Sequence, residues 1–230
     1  LLIKCADETC VPAGQALAVD RDSFSDLVTS RLEEMENVEI IREEIEKIPE
    51  GKVVIATGPL TSEKFSKEIL NLIGKEYLSF YDAAAPIVTY ESINLEKTFR
   101  ADRYGKGDSD YINCPMNEEE YIKFYQELIN AENVELKQFE KGDLFEGCIP
   151  IEQMAKRGEK TLLFGTLKPV GFDKNGRPHA IVQLRQDNKE GTLYNLVGFQ
   201  TNLKFNEQKR VFSLIPGLEN AEFVRYGVMH

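Results

Sequence analysis

Three apolar runs in the C-terminal half constrain the fold most strongly, because their length and spacing fit the strands of a single sheet. They cover residues 160–167, 180–185 and 192–199, and the turn sequence Asp-Lys-Asn-Gly lies between the first two at 173–176. Short apolar runs joined by short polar connections are typical of neighbouring antiparallel strands. We therefore expect an antiparallel sheet in this half of the chain.

The rest of the chain alternates between helical and extended patterns. Apolar residues recur at helical spacing in four longer segments and one short one: 23–36, 62–73, 118–131, 206–214 and 150–157. Asn117 and Glu120 form a predicted capping pair at the start of the third segment. Four more extended runs are predicted at 38–45, 52–58, 77–82 and 221–226. This mixture indicates an α/β protein.

Composition limits the class of protein further. The chain has 42% hydrophobic residues, enough for a real core, and no apolar run approaches the length of about 18 residues that a membrane span needs. We expect a cytoplasmic protein without a membrane partner. Four cysteines without a CxxC pair and only two histidines predict neither a disulfide framework nor a metal site. The residues at the two ends suggest a piece of a longer protein.

Charge is distributed unevenly along the chain. The net charge is −11, but residues 151–189 carry 8 Lys and Arg against 4 Asp and Glu. An ordinary solvated surface explains such a block, and so does a surface that binds phosphate groups. Charge alone leaves both interpretations open.

Cys114 is the candidate reactive residue. An extended segment brings it to Pro115, and Asn117 then opens a helix, so we expect Cys114 in a loop before a helix N-terminus. Such a position lowers a thiol pKa, although three glutamates at 118–120 oppose the effect. The residue types alone fit a buried, inert cysteine at least as well.

A flavin-binding pattern is present in the first hundred residues. Helix, strand, turn and a strand ending in Ala56-Thr57-Gly58 follow the order of FAD-binding domains of the glutathione-reductase type. The same three residues also occur as a plain tight turn in many α/β proteins. The G-x-G-x-x-G phosphate fingerprint of such domains does not occur in the sequence.

Several motifs in order resemble one family, the folate- and FAD-dependent tRNA (uracil-5-)-methyltransferases, which are related to the GidA-type tRNA-modifying flavoproteins. The motifs that carry the resemblance are VPAG at 11–14, ATGPLTS at 56–62, FYDAAAPI at 80–87, YINCPM at 111–116, FEGCIPIE at 145–152, LKPVG at 167–171, VQLRQDN at 182–188 and IPGLENAE at 215–222. They span nearly the whole chain.

The resemblance implies a division into domains and a set of site residues. It implies a partial FAD-binding domain at 1–82, an inserted α+β domain with an antiparallel sheet at 83–206, and a return to the FAD-binding domain at 207–230. It places FAD near Ala56, Thr57, Gly58, Ala84 and Pro86. Within the basic block, the residues expected to contact tRNA are Lys156, Arg157, Lys160, Lys168, Arg177 and Arg185, with Arg185 nearest the uridine.

The resemblance also implies a reaction, which is methylation of uridine C5 in the T loop of tRNA. Methylenetetrahydrofolate supplies the carbon, and reduced FAD, recharged by NAD(P)H, supplies the electrons. Cys114 matches the family cysteine that adds to uracil C6 and so makes C5 nucleophilic. The partners implied are tRNA, a folate and a nicotinamide, and the oligomeric state stays open.

Two other functions fit parts of the sequence. A GidA-type flavoprotein would modify a wobble uridine instead, and a non-catalytic RNA-binding domain would carry an inert Cys114. The YINCPM motif favours the methyltransferase over the first alternative. Loss or retention of methylation after Cys114→Ala in the whole enzyme distinguishes the methyltransferase from the non-catalytic RNA-binding domain. We expect this chain alone to hold FAD poorly and to be inactive.

Overall fold

The computed structural model describes residues 1–58, 60–74, 83–134, 149–172 and 178–229. Its α-helices are α1 Leu2–Glu8, α2 Arg21–Glu33, α3 Glu63–Ile73, α4 Glu118–Asn130, α5 Ile151–Lys156, α6 Thr161–Phe164 and α7 Phe205–Phe212. Its strands are β1 Cys10–Val11, β2 Ala18–Val19, β3 Ala83–Ala84, β4 Ile87–Thr89, β5 Phe99–Arg100, β6 Ile112–Met116, β7 Ala180–Gln186, β8 Leu193–Leu196, β9 Phe223–Arg225 and β10 Val228–Met229. None of these helices is both long and apolar enough to cross a membrane.

A six-stranded antiparallel sheet is the centre of the fold. Its strand order is β5-β6-β7-β8-β4-β9, and every neighbouring pair runs antiparallel. The predicted antiparallel sheet is therefore confirmed, and β7 and β8 correspond to the predicted runs at 180–185 and 192–199. Two small antiparallel pairs, β1 with β2 and β3 with β10, lie outside it.

Helices cover one face of this sheet and form the core with it. Tyr121, Phe124 and Leu128 of α4 are fully buried against the apolar side of β6. These residues follow one another at intervals of three and four, which places them on one face of the helix. The predicted cap of α4 is confirmed, because the Asn117 side chain accepts from Glu120 N and the Glu120 side chain accepts from Asn117 N.

Hydrogen bonds attach the N-terminal segment to the sheet. Asp20 Oδ1 accepts from Ser23 N and caps α2, while Asp20 Oδ2 accepts from Lys189 N in the β7–β8 connection. These backbone N–H groups are the main reason that the pKa of Asp20 is lowered. The Tyr111 hydroxyl also donates to the Ala13 carbonyl at 3.0 Å. The segment is therefore fixed beside the sheet.

Three predicted strands are wrong. Residues 38–45 and 52–58 have no regular secondary structure, and 160–167 contains the short helix α6. An extended run becomes a strand only when another strand pairs with it, and within the described ranges no strand lies beside 38–45 or 52–58. Residues 161–164 form a single helical turn instead, and this turn buries the Leu162 side chain in the layer of helices.

The predicted strand at 221–226 is present as β9, but its partner is β4 of the same sheet. Helix α7 also packs on that sheet, through Val211 and Phe212. Residues 205–225 therefore share a core with the strands before them. The proposed domain division as a whole stays a prediction. The predicted strand at 77–82 and turn at 173–176 lie outside the described residues.

Candidate functional site

The sheet face opposite α4 and α7, here called the open face, carries the polar side chains of buried strands. In β7, Val182 and Leu184 point into the core, so Gln183 and Arg185 lie on the open face. In β8, Asn195 lies between the core residues Tyr194 and Leu196 and faces the same way. Polar groups inside a sheet cost free energy unless they are hydrogen-bonded, so the partners of these side chains decide whether they hold the sheet together or are available to a ligand.

One part of the open face is a closed hydrogen-bond network. Gln183 Nε2 donates to Asn113 Oδ1 at 3.1 Å, and Arg103 Nε donates to Gln183 Oε1 at 2.9 Å. Asn113 Nδ2 donates to the Ala101 carbonyl at 2.9 Å, and the Arg103 guanidinium also stacks on the Phe172 ring. Because these groups satisfy one another, this part holds the sheet together and is not free to bind a ligand.

Beside the network lies a cleft of about 610 Å³, here called the arginine cleft. Its principal lining residues are Arg21, the three alanines 83–85, Arg185, Asp187, Asn195 and Arg225. Arg185 lies opposite Asn195, Asn195 opposite Ile87, and Ile87 opposite Arg225, so one cross-strand row supplies most of the floor. The short alanine side chains leave one wall low and apolar.

The single carboxylate among these lining residues is already engaged. Asp187 Oδ1 accepts from Asn195 Nδ2 at 3.2 Å and forms an ion pair with Arg21 at 3.4 Å. The Arg185 side chain, by contrast, makes no hydrogen bond or ion pair to the described residues; its Nε is buried, and its charge interacts with the Tyr111 phenol. Among the described residues that line the cleft, three arginines therefore stand beside this one carboxylate.

The structure places Cys114 on the other face of the sheet. It lies in the middle of β6, opposite Val182, and is 0% exposed within the apolar core. The predicted loop position is therefore wrong, because pairing with β7 continues through Met116 and the helix begins only after it. Burial, reinforced by the nearby Glu219 carboxylate, raises the pKa of the Cys114 thiol well above its usual value.

The loop at residues 215–220 covers the Cys114 sulfur. A methyl group added to Gly217 would lie 3.5 Å from Cys114 Sγ and 2.6 Å from Thr98 Cγ2. Glu219 holds the loop, since it accepts from Gly217 N at 3.1 Å and pairs with Lys97 at 2.6 Å. Cys114 is therefore inaccessible in this conformation, and this loop is one of the segments that cover it.

We expect Gly217→Ala to destabilise the fold by about 2 kcal/mol or more, because alanine would take φ +93° and also contact Thr98. Gly51 is the matched control, since it has φ +105° with open space around it, so Gly51→Ala carries the backbone strain alone. Urea denaturation measures both free energies of unfolding. Equal losses in the two variants would show that the loop does not pack tightly over the sulfur.

The predicted FAD residues do not come together in the described structure. Ala84 lines the arginine cleft, but Pro86 is buried next to Gly227. Ala56, Thr57 and Gly58 are exposed and have no regular secondary structure, and Thr61 Oγ1 donates to the Gly58 carbonyl at 2.7 Å. No atom in the described residues lies within 4 Å of a Cβ built on Gly58, so nothing there forms a cradle.

The predicted tRNA contacts are divided between different surfaces. Lys156, Arg157 and Lys160 are exposed at the end of α5 and just beyond it, in the layer of helices. Lys168 is half-buried, and Arg185 is in the arginine cleft on the opposite side of the sheet. Arg177 lies outside the described residues. The cluster of basic residues in sequence is thus not one cluster in space.

Sequence reasoning identified Arg185 and Ala84 but missed Asn195, Asp187 and Arg225. The signal for Asn195 was a polar residue between apolar ones in a strand that is otherwise buried, whereas Asp187 lies just beyond the end of β7 and has no such signal. Arg225 has no such signal either. Its position beside the cleft depends on a register shift between β4 and β9 at Ile87, and residue types do not show a register. In the described ranges no three His, Cys, Asp or Glu side chains could together hold a metal ion, and the predicted lack of a metal stays a prediction.

A helix-backed antiparallel sheet with a polar open face is a fold found among solved proteins. The structure of Aquifex aeolicus GidA in the form I crystal matches 97% of this chain with a TM-score of 0.66 and 15% identity, over 46% of that protein. The form II crystal of the same protein gives a TM-score of 0.65 and 14% identity. The chain therefore has the fold of this part of GidA.

The sequence assigns the family directly. The profile of the family described as glucose inhibited division protein A matches residues 1–230, and the chain belongs to that family. Methylenetetrahydrofolate--tRNA-(uracil-5-)-methyltransferases TrmFO match the whole chain, with 62% identity in Acetivibrio thermocellus and 63% in Fusobacterium nucleatum. The chain spans about half the length of these relatives, 54% in both cases.

Proposed function

We propose that the protein containing this chain methylates C5 of a uridine in the T loop of tRNA, giving 5-methyluridine. The observation that carries the proposal is 61–63% identity along the whole chain to curated relatives named for tRNA (uracil-5-) methylation with methylenetetrahydrofolate. The relatives' names favour this function over wobble-uridine modification of the GidA type. A cytoplasmic location follows from the proposed tRNA substrate.

The arginine cleft supports the proposal because its alanine wall and its positive charge fit a flat, anionic cofactor. Ala84 would lie beside FAD there and Arg185 would face the target uridine, whereas the exposed residues Ala56–Gly58 offer no cradle in the described structure. In the proposed reaction the carbon comes from methylenetetrahydrofolate and the electrons from reduced FAD, which NAD(P)H recharges. The exposed Lys156, Arg157 and Lys160 are proposed to contact tRNA phosphates, a salt-dependent interaction.

The proposed role of Cys114 is addition to uracil C6, which gives C5 the electron density to attack the one-carbon unit. The geometry sets a condition on this role. A sulfur that is 0% exposed cannot reach a pyrimidine, so residues that cover it, such as those of the 215–220 loop, have to move away first. An inert Cys114 that only packs the core requires no such movement, and the burial favours this second interpretation.

The test uses the longer enzyme that contains this chain, a tRNA transcript and labelled methylenetetrahydrofolate. We expect 5-methyluridine in the T loop, detected by nucleoside mass spectrometry, and a loss of about 1,000-fold or more in rate for Cys114→Ala if the thiol is the nucleophile. Cys10→Ser, an exposed cysteine, is the control and should keep full activity.

Three outcomes separate the possibilities. No methylation by the unmodified enzyme rejects the proposed function, and a modified wobble uridine supports the GidA-type alternative. Methylation within about tenfold of normal by a folded Cys114→Ala variant rejects the nucleophile but retains the function.

A further inference from the structure

Phe164 presents an aromatic ring to the surface at the end of α6. At 82% it is the most exposed aromatic residue among those that the structure describes. Its ring contacts no other aromatic ring there, whereas the exposed Phe205 of α7 stacks on Tyr226 with the ring centroids 4.9 Å apart. Packing within the described chain therefore explains the Phe205 ring and leaves the Phe164 ring unexplained.

The backbone that carries the Phe164 ring is fixed to the core. Leu162 and Leu167, which lie on either side of it in sequence, are buried, and Leu167 N donates to the Leu162 carbonyl at 2.9 Å. Ile181 N in β7 donates to the Leu167 carbonyl at 3.1 Å, which attaches this turn to the central sheet. A ring held by such a turn loses little conformational entropy when it binds a partner.

Positive charges flank the ring. Residues 156–168 carry four Lys and Arg against one Glu, in a chain whose net charge is −11. Lys160 precedes Phe164 by four positions at the start of α6, so the two side chains lie on the same side of this turn. Lys168 N donates to the Gly165 carbonyl at 3.3 Å, which brings Lys168 back beside the end of the helix. Neither lysine side chain forms an ion pair with a described residue.

An aromatic ring between two unpaired cations fits single-stranded RNA. Unpaired bases stack on aromatic side chains while the neighbouring phosphates contact lysine, and a base inside a double helix has both of its faces covered. A single exposed apolar residue is ordinary on a protein surface. The free lysines distinguish Phe164 from Phe205, because Lys204 beside Phe205 is paired with Glu132.

We propose that Phe164 stacks on an unpaired base of the tRNA substrate while Lys160 and Lys168 contact the phosphates beside that base. The identity of the RNA rests on the proposed function. Phe164 would recognise the single-stranded character of a loop, which the charges alone do not distinguish from a duplex. Leu162 and Leu167 belong to the core on the helix side of the sheet, so this contact is separate from the arginine cleft.

The test measures how the longer enzyme that contains this chain binds two RNAs: the stem-loop of the tRNA T arm, and a fully paired duplex with the same number of phosphates. We expect Phe164→Ala to weaken binding of the stem-loop by about tenfold or more and of the duplex by less than about twofold. Lys160→Gln should weaken both RNAs alike and reduce the slope of log affinity against log salt by about one. Phe205→Ala is the matched control and should bind both RNAs as the unmodified enzyme does.

A conservative replacement separates stacking from a structural effect. The 230-residue chain has no tryptophan, so the fluorescence that Phe164→Trp adds to the unmodified enzyme reports on this one ring. We expect this variant to keep the affinity for the stem-loop, and the stem-loop but not the duplex to quench the added fluorescence. Phe164→Ala should change the Tm of the longer enzyme by less than about 2 °C, because the ring is exposed.

The proposal is overturned if the unmodified enzyme does not bind the stem-loop, if Phe164→Ala binds it just as tightly, or if this variant weakens the duplex equally. A larger fall in the Tm of Phe164→Ala would also overturn it, since the ring would then pack against another part of the longer enzyme. Failure of the proposed function is a separate result. In that case the unmodified enzyme forms no 5-methyluridine, whereas the stacking contact is judged by binding alone.

Discussion

In the folded chain, Cys114 is expected to react with iodoacetamide at least about 1,000-fold more slowly than in the chain unfolded by urea. Two features slow the reaction. The sulfur is 0% exposed beneath the 215–220 loop, and burial together with Glu219 raises the pKa of the thiol, so very little thiolate forms at neutral pH. Since only the thiolate is alkylated, both features act in the same direction.

The measurement is peptide mass spectrometry after timed labelling, which follows each cysteine separately. Cys10 is exposed and provides the internal control, because its rate should change by less than about tenfold on unfolding. If Cys114 is labelled in the folded chain as fast as Cys10, the loop opens readily and the nucleophile role gains support. Strong protection instead means that catalysis by this thiol needs an opening step driven by a ligand or by the rest of the enzyme.

Replacement of Glu152 by leucine is expected to lower the free energy of unfolding by about 3 kcal/mol. Glu152 is 0% exposed, and its two oxygens accept from Thr201 Oγ1 at 2.8 Å and from Asn202 N at 3.0 Å. Leucine would leave both donors buried without an acceptor. Glu190→Leu on the exposed turn is the control and should change stability by less than about 0.5 kcal/mol. Similar losses in both variants would show that these bonds contribute little.

Glu152 also gives the stability a specific pH dependence. Burial is the main reason that its pKa is raised, although the bonds from Asn202 and Thr201 oppose the effect. A raised folded pKa means that the protonated form is favoured by folding, so its contribution is complete below the unfolded value of about 4.3 and is lost as the pH rises through the folded pKa.

The unmodified chain should therefore lose stability relative to Glu152→Gln as the pH is raised from about 4 towards neutrality. Urea denaturation of both chains across this range measures the difference, and glutamine supplies a matched neutral side chain of nearly the same shape. A difference that stays constant with pH, or that changes in the opposite direction, would contradict the raised pKa.

The parts of the fold that depend on local sequence could be predicted, and those that depend on distant pairing could not. The capping of α4 by Asn117 and Glu120 involves residues three apart, and the prediction was correct. The location of Cys114 depends on β7, whose Val182 is 68 positions away in sequence. No local pattern shows whether an extended run ending in proline continues as a strand, and the loop prediction failed for that reason.

The candidate site shows the same limit. Arg185 and Ala84 were identified from the motifs that contain them, yet the cleft exists only because β7, β8, β4 and β9 align Arg185, Asn195, Ile87 and Arg225 in one row. That alignment includes a register shift between β4 and β9, which cannot be read from residue types. Side-chain alternation predicts which face a residue occupies, but not its neighbours across strands.

Asp20 links the edge of the arginine cleft to the turn between β7 and β8. One of its oxygens starts α2 and the other holds Lys189, while the next residue, Arg21, reaches Asp187 at the cleft. Helix α2 therefore cannot swing outward without either uncapping itself or releasing the β7–β8 hairpin. Because β7 and β8 are the two central strands of the sheet, the hairpin cannot follow such a movement, and the two bonds of Asp20 keep this edge of the cleft at a constant width.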